Sequence, residues 1–153
     1  MKFFTSSTFR VNLADLLKKP REGYSSVVID MCGELKQMSD QILRDTNDRV
    51  RQFAAYRIVK LRIPNSGLKL SKSNGFRLIY WVSLLTDEVV LMSVYPKRGS
   101  KGAIDLADGE YARLVLEITN ESLTQTLHQV DINNAFAELS TKASLTKDAE
   151  GSI

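Results

Sequence analysis

At Tyr56 the apolar period of this chain changes from that of a helix to that of a strand, and most of what it can fold into follows from that switch. Upstream, apolar residues recur three and four apart. Phe9, Val11, Leu13, Leu16 and Leu17 predict a helix over 8–18, capped from the Ser6-Ser7-Thr8 run. After the punctuation of Pro20 and Gly23, Val27, Val28, Met31, Cys32, Leu35 and Met38 predict a second helix over 24–38. Residues 2–5 read as a short strand, and 41–52 as a polar connector holding at most a further helical turn. Downstream, YRIVKLRI (56–63), GFRLIYWVSLL (75–85) and DEVVLMSVYP (87–96) alternate with period two and predict three strands. A tight turn near Thr86–Asp87 joins the last two, and connections this short predict antiparallel hairpins. NSGLKLSKSNG and PKRGSKGAID are loops.

Leu106, Tyr111, Leu114, Val115 and Ile118 predict a helix over 106–118. Val130, Ile132, Ala135, Phe136 and Leu139 predict another over 130–142, and TKDAEGSI reads as a frayed tail. The expected class is α+β: an N-terminal helical hairpin packed on a small antiparallel sheet, with a C-terminal helical extension. Residues 1–118 form the expected domain and 119–153 the extension.

The 153 residues suffice for one domain with a single core. No apolar run approaches the roughly 18 residues of a membrane span, and the N-terminus lacks the apolar region and cleavage site of a secretory leader. A cytoplasmic protein is expected. One cysteine, Cys32, and one histidine, His128, can assemble neither a disulfide nor a Cys/His zinc site. Cys32 sits in an apolar stretch and reads as a small buried hydrophobe. Neither GxGxxG nor a Walker phosphate loop is present, so no cofactor or metal is expected.

The net charge of +3 conceals a sharp asymmetry. Residues 57–101 hold nine basic groups, Arg57, Lys60, Arg62, Lys69, Lys72, Arg77, Lys97, Arg98 and Lys101, against Asp87 and Glu88. Residues 102–153 hold nine acids against three basic groups. A central basic block in a near-neutral chain suits a polyanion; the acidic end could shield it.

Strand alternation sorts the charges. Lys60 and Arg62 share a face of their strand, and Arg77 shares one with Ile79 and Trp81. The opposite set, Phe76, Leu78, Tyr80 and Val82, is apolar and predicts the core face, leaving Arg77 and Trp81 on an outer, concave face. Lys97 and Arg98 follow the third strand. The expected patch comprises Lys60, Arg62, Arg77, Lys97 and Arg98, with Lys69 and Lys72 at its edge and Lys101 just beyond. Planar guanidinium forks match phosphate oxygens, a crowded lysine can move protons, and a tryptophan can stack on a base. These are the parts needed to cut RNA through attack of its own 2′-hydroxyl.

KLRIPNSGLKLSKSNGFRLIYWV resembles the central signature of RelE/HigB-like toxins, of the RelE/ParE superfamily of type II toxin–antitoxin systems. There K-x-R opens a strand, a Gly/Lys/Ser loop follows, and G-aromatic-R-aliphatic-aliphatic-Y continues the sheet. VVLMSVYPKRGSK resembles the next strand with its Lys/Arg pair, and IDLADGEYARLVLEI the closing helix. The resemblance covers 56–118; the upstream helices agree in order and length only, and 119–153 have no counterpart. It implies a microbial-RNase-like fold, a metal-independent mRNA endonuclease acting with the ribosome, and neutralisation by an antitoxin, through which the toxin could oligomerise. By position, Arg77 resembles the phosphate-stabilising arginine and Arg98 the arginine that assists the leaving group. Lys60 and Arg62 take the proton-transfer and phosphate-contact roles, and Lys72 resembles a loop lysine of the HigB type. The residue that serves as base stays open between Lys60 and Lys72; some members use a C-terminal tyrosine or histidine near the phosphate, for which Tyr95 and Tyr111 are the candidates here without a definite place, His128 lying outside the resemblance. The ParE branch shares the fold but poisons DNA gyrase, which makes a non-catalytic inhibitor the rival expectation.

Overall fold

The computed structural model describes residues 1–46, 48–103 and 105–136. Among them the chain is α+β, with one six-stranded, mostly antiparallel sheet and four α-helices. In chain order these are β1 (Lys2–Thr5), α1 (Ser7–Leu17), α2 (Val27–Lys36), α3 (Asp40–Asp45), β2 (Arg49–Gln52), β3 (Tyr56–Ile63), β4 (Phe76–Ser83), β5 (Glu88–Pro96), α4 (Glu110–Thr124) and β6 (His128–Val130). The sheet order is β2-β3-β4-β5-β1-β6.

The meander β3-β4-β5 stands where alternation predicts it. The first strand and first two helices are also found, each within a few residues of expectation, and Ser6 caps α1 by accepting from the Phe9 N–H at 3.2 Å. Four expectations are corrected. The sheet is not wholly antiparallel: β1 runs parallel to β5, because the helices between them supply the long crossover a parallel pair needs. The connector over 41–52 holds α3 and an edge strand, β2, whose half-buried Val50 packs against the cluster under α4 while Arg51 stays exposed. The helix expected over 106–118 begins only at Glu110, after Gly109 in left-handed backbone, and runs on to Thr124. In place of a helix over 130–142 stand β6 and a 3-10 turn at Ile132–Asn134; residues 137–142, and the tail beyond them, lie outside the described residues. The boundary drawn after Ile118 therefore falls inside α4.

The outer face of the sheet is also corrected. Phe76, Leu78, Tyr80 and Val82 do face the main core under α1, α2 and α3. The reverse face carries a second apolar cluster, in which Ile58, Ile79, Val90 and Met92 pack under Tyr111, Leu114 and Ile118 of α4. A sheet this central buries both faces, so the strands read as near-continuous apolar runs.

The two layers are joined through α1. Glu121, itself buried, accepts from the Ser7 N–H at 2.8 Å and the Ser7 hydroxyl at 2.9 Å. Glu117 accepts from the Thr8 N–H at 3.1 Å and the Thr8 hydroxyl at 2.7 Å. These N–H groups open a helix and have no partner within it, and negative charge there also complements the helix dipole. Glu121→Ala is expected to cost about 2 kcal/mol, read as a lower denaturation midpoint at unchanged slope. Cys32 is buried as expected, and burial pushes its thiol up to about 11. It should resist alkylation at neutral pH until the protein unfolds, which a mass-shift assay with and without denaturant would check.

Candidate nucleic-acid interface

Register places the basic residues. Arg62 of β3 lies opposite Arg77 of β4, which lies opposite Tyr95 of β5, so these three form one row across the sheet. Lys60 lies one step in, opposite Ile79. Two loops border the row, 64–75 between β3 and β4 and 97–109 between β5 and α4.

Both loops are fastened from beneath by the α1–α2 side. In the first, Asn65 donates to the Gly23 carbonyl at 2.8 Å, and Asp30 accepts from the Ser66 N–H at 2.9 Å. Gly75 lets this loop re-enter the sheet, since a Cβ there would stand 2.1 Å from the Ile63 carbonyl oxygen. In the second, Tyr24 donates to the Arg98 carbonyl at 2.9 Å, and Glu22 accepts from the Ser100 N–H at 2.8 Å. Gly99, at φ +89, passes so close over Tyr24 that a Cβ would lie 2.0 Å from its hydroxyl.

Arg77 is the centre of the row and only 6% exposed. Its Nη1 donates to the carbonyls of Lys72 at 2.9 Å and Phe76 at 3.2 Å, and its Nη2 to that of Ser73 at 3.0 Å. Of five guanidinium donors this leaves Nε–H and one Nη2 hydrogen uncommitted. The carbonyls fix the fork without neutralising it; among the described residues no carboxylate forms an ion pair with it, and Asp48 acts on it only at longer range. Burial first, and the adjacent Arg62 second, lower its hold on its proton. A buried positive charge without a counter-ion is costly unless an anion completes the site.

The other expected residues are distributed around this centre. Arg62 is exposed beside Arg77. Lys60 Nζ lies 3.6 Å from Asp105. Lys72 pairs with Glu34 at 3.0 Å, which draws its ammonium toward α2. Arg98 donates to Asn74 at 3.0 Å, bridging the two loops. Lys69, in left-handed backbone, and Lys101 are exposed on those loops, and Lys97 is half-buried at the end of β5. Trp81 does not join them. It packs beside Tyr56 (ring centroids 5.8 Å apart) at the edge of the cluster under α4, four residues or about 13 Å along the strand from Arg77.

Sequence reasoning missed two members and left two more unplaced. Arg51 of β2 lies over the Tyr111 ring, 5.1 Å from its centroid; reading 41–52 as a connector hid it, although the alternation in RVRQ was a usable signal. Asp105 accepts from the Tyr111 hydroxyl at 2.8 Å and had no signal of its own, being one acid in an acidic third of the chain. Tyr95 and Tyr111 both prove to face this cluster. Tyr95 is 7% exposed and its hydroxyl is buried without a hydrogen-bond partner among the described residues. Burial first, and the negative charge of Asp105 second, push it up to about 12, with Arg77 acting the other way. The arrangement can hold a phosphate on guanidinium groups next to groups that can take and give protons.

Among the described residues no cluster of His, Cys, Asp and Glu could hold a metal ion, and no helix is long and apolar enough to cross a membrane. No family profile, no curated protein and no solved structure matches the chain.

Proposed function

We propose that this chain is the toxin of a type II toxin–antitoxin system, a RelE/HigB-like endoribonuclease that cleaves mRNA on the ribosome. The observation that carries the reading is Arg77: a buried guanidinium, oriented by three carbonyls, without an ion-paired carboxylate among the described residues and adjacent to a second arginine. Such a group suits a phosphodiester, whose charge grows as phosphorus becomes five-coordinate. Arg62 would supply a second contact, and Lys60 stands two residues before it on the same face of β3. Attack by the 2′-hydroxyl would leave a 2′,3′-cyclic phosphate and a 5′-hydroxyl. Lys69, Lys97, Arg98 and Lys101 would follow the flanking backbone, so binding should weaken steeply with salt. The partner would be an antitoxin protein.

The test is 5′-end mapping of cellular mRNA after brief induction of the protein. New 5′-hydroxyl ends inside translated codons are expected. One observation favours the rival reading of a non-catalytic, gyrase-directed member: Arg77 already spends three donors on its own loop. Growth arrest with intact mRNA and induced DNA damage would establish that rival instead.

A further inference from the structure

Asp105 stands in the loop before α4, and all its contacts converge on one oxygen. Oδ1 accepts from the Tyr111 hydroxyl and from the Leu106 N–H, each at 2.8 Å, and lies 3.6 Å from Lys60 Nζ. Oδ2 carries no hydrogen bond among the described residues, and the side chain is about half exposed, at 53%. The carboxylate is thus held on one side and open on the other, beside the row of Arg62, Arg77 and Tyr95.

We propose that Asp105 is the general base that takes the proton of the attacking 2′-hydroxyl, an assignment that rests on the ribonuclease reading above. The other groups around Asp105 among the described residues are arginines, a lysine and tyrosines; one other carboxylate, Asp48, acts on Arg77 from just before β2. Arg62, Arg77 of β4 and Arg51 of β2 are guanidinium ions, which proteins do not deprotonate. Lys60 of β3 is an ammonium paired with Asp105 itself. Tyr95 of β5 is pushed up by burial, and Tyr111 of α4 by burial and by the hydrogen bond it donates to Asp105. Partial burial works against charge on Asp105, but Tyr111, Leu106 and Lys60 outweigh it and hold the carboxyl below its usual range. Among the described residues, Asp105 is the carboxylate held beside the row by Tyr111, Leu106 and Lys60 with one oxygen left open.

The step balances with the groups present. The 2′-hydroxyl proton passes to Asp105 Oδ2 as the O2′–P bond forms. The P–O5′ bond breaks, and the leaving O5′ takes a proton from the Lys60 ammonium. A protonated Asp105 and a neutral Lys60 then stand in contact, so the starting state is restored by proton transfer between them. Arg77 and Arg62 hold the phosphoryl oxygens throughout.

The test is single-turnover cleavage of ribosome-bound mRNA by the full chain, using ordinary RNA and RNA with sulfur in place of the scissile O5′. A thiolate leaves without a proton, so the sulfur substrate bypasses the acid and not the base. Asp105→Asn keeps the shape that accepts from Tyr111 and Leu106, and its melting temperature confirms folding. It is expected to slow ordinary RNA by about 100-fold or more, and to stay slow on the sulfur substrate, whereas Lys60→Ala is restored by sulfur. Rescue of Asp105→Asn by sulfur would overturn the assignment, making Asp105 a positioning group for Lys60. A rate at or above wild type would also overturn it, making Asp105 a competitor of phosphate. Wild-type protein that cuts neither RNA overturns the ribonuclease reading together with this one, and so differs from an Asp105-specific failure.

Discussion

Arg77→Ala is expected to lower cleavage of ribosome-bound mRNA by about 100-fold or more while leaving the protein folded. The fork is fixed before any ligand arrives, by three carbonyls of its own chain, so no reorganisation is needed when charge develops on phosphorus. Arg77→Lys is expected to fail almost as badly. An ammonium has three donors, none in a planar fork, and cannot bridge the loop carbonyls and a phosphate together. Stability should behave differently from activity. The alanine variant loses three hydrogen bonds but also a buried charge that has no ion-paired carboxylate among the described residues. These effects oppose each other, so the melting temperature is expected to hold or rise. Single-turnover rates set against melting temperatures would decide it: full activity in Arg77→Ala would make the residue a loop clamp alone.

Phe136→Ala is expected to have the largest effect on stability, a loss of about 3–5 kcal/mol. Phe136 is fully buried and meets Phe9 of α1 edge to face, with ring centroids 6.2 Å apart. It stands in left-handed backbone at φ 55, so packing must offset a local cost as well. Against a typical total of about 5–15 kcal/mol, one such loss leaves the protein marginal. The check is a denaturant titration of Phe136→Ala, with Phe136→Leu expected to recover much of the loss. An unchanged midpoint would mean that the segment after α4 is not part of the core. For the same reason, deletion of 119–153 would not test an acidic shield over the basic face. It would remove the end of α4, the strand β6 and Phe136 along with the acids.

Local periodicity made the meander and the first two helices readable. β3, β4 and β5 are rich in β-branched and aromatic residues over eight or nine positions, long enough to declare themselves. β2 and β6, with four and three residues, offer too few alternations, and their existence depends on neighbours distant in sequence. The row Arg62–Arg77 was legible because it follows from alternation within paired strands. The second core was not: Ile79 and Trp81 read as outer-face residues until α4, placed by tertiary packing alone, covers them. The role of Arg77 was half visible. Its place on the strand was given by sequence, whereas its capture by Lys72 and Ser73 depends on the path of the loop. Asp105 was invisible because a carboxylate becomes informative only through what it touches.

The carboxylates that tie α4 to the first turn of α1 have a consequence for how the molecule comes apart. α1 lies on one side of the sheet and α4 on the other, yet Glu117 and Glu121 terminate the helix they do not belong to. Peeling α4 away would strip α1 of its end-partners, and fraying α1 would release α4. Neither layer can open by itself without raising the energy of its counterpart, so the two cores should melt as one cooperative unit. Amides of both helices should then exchange with solvent at a common rate, rather than α4 exchanging first.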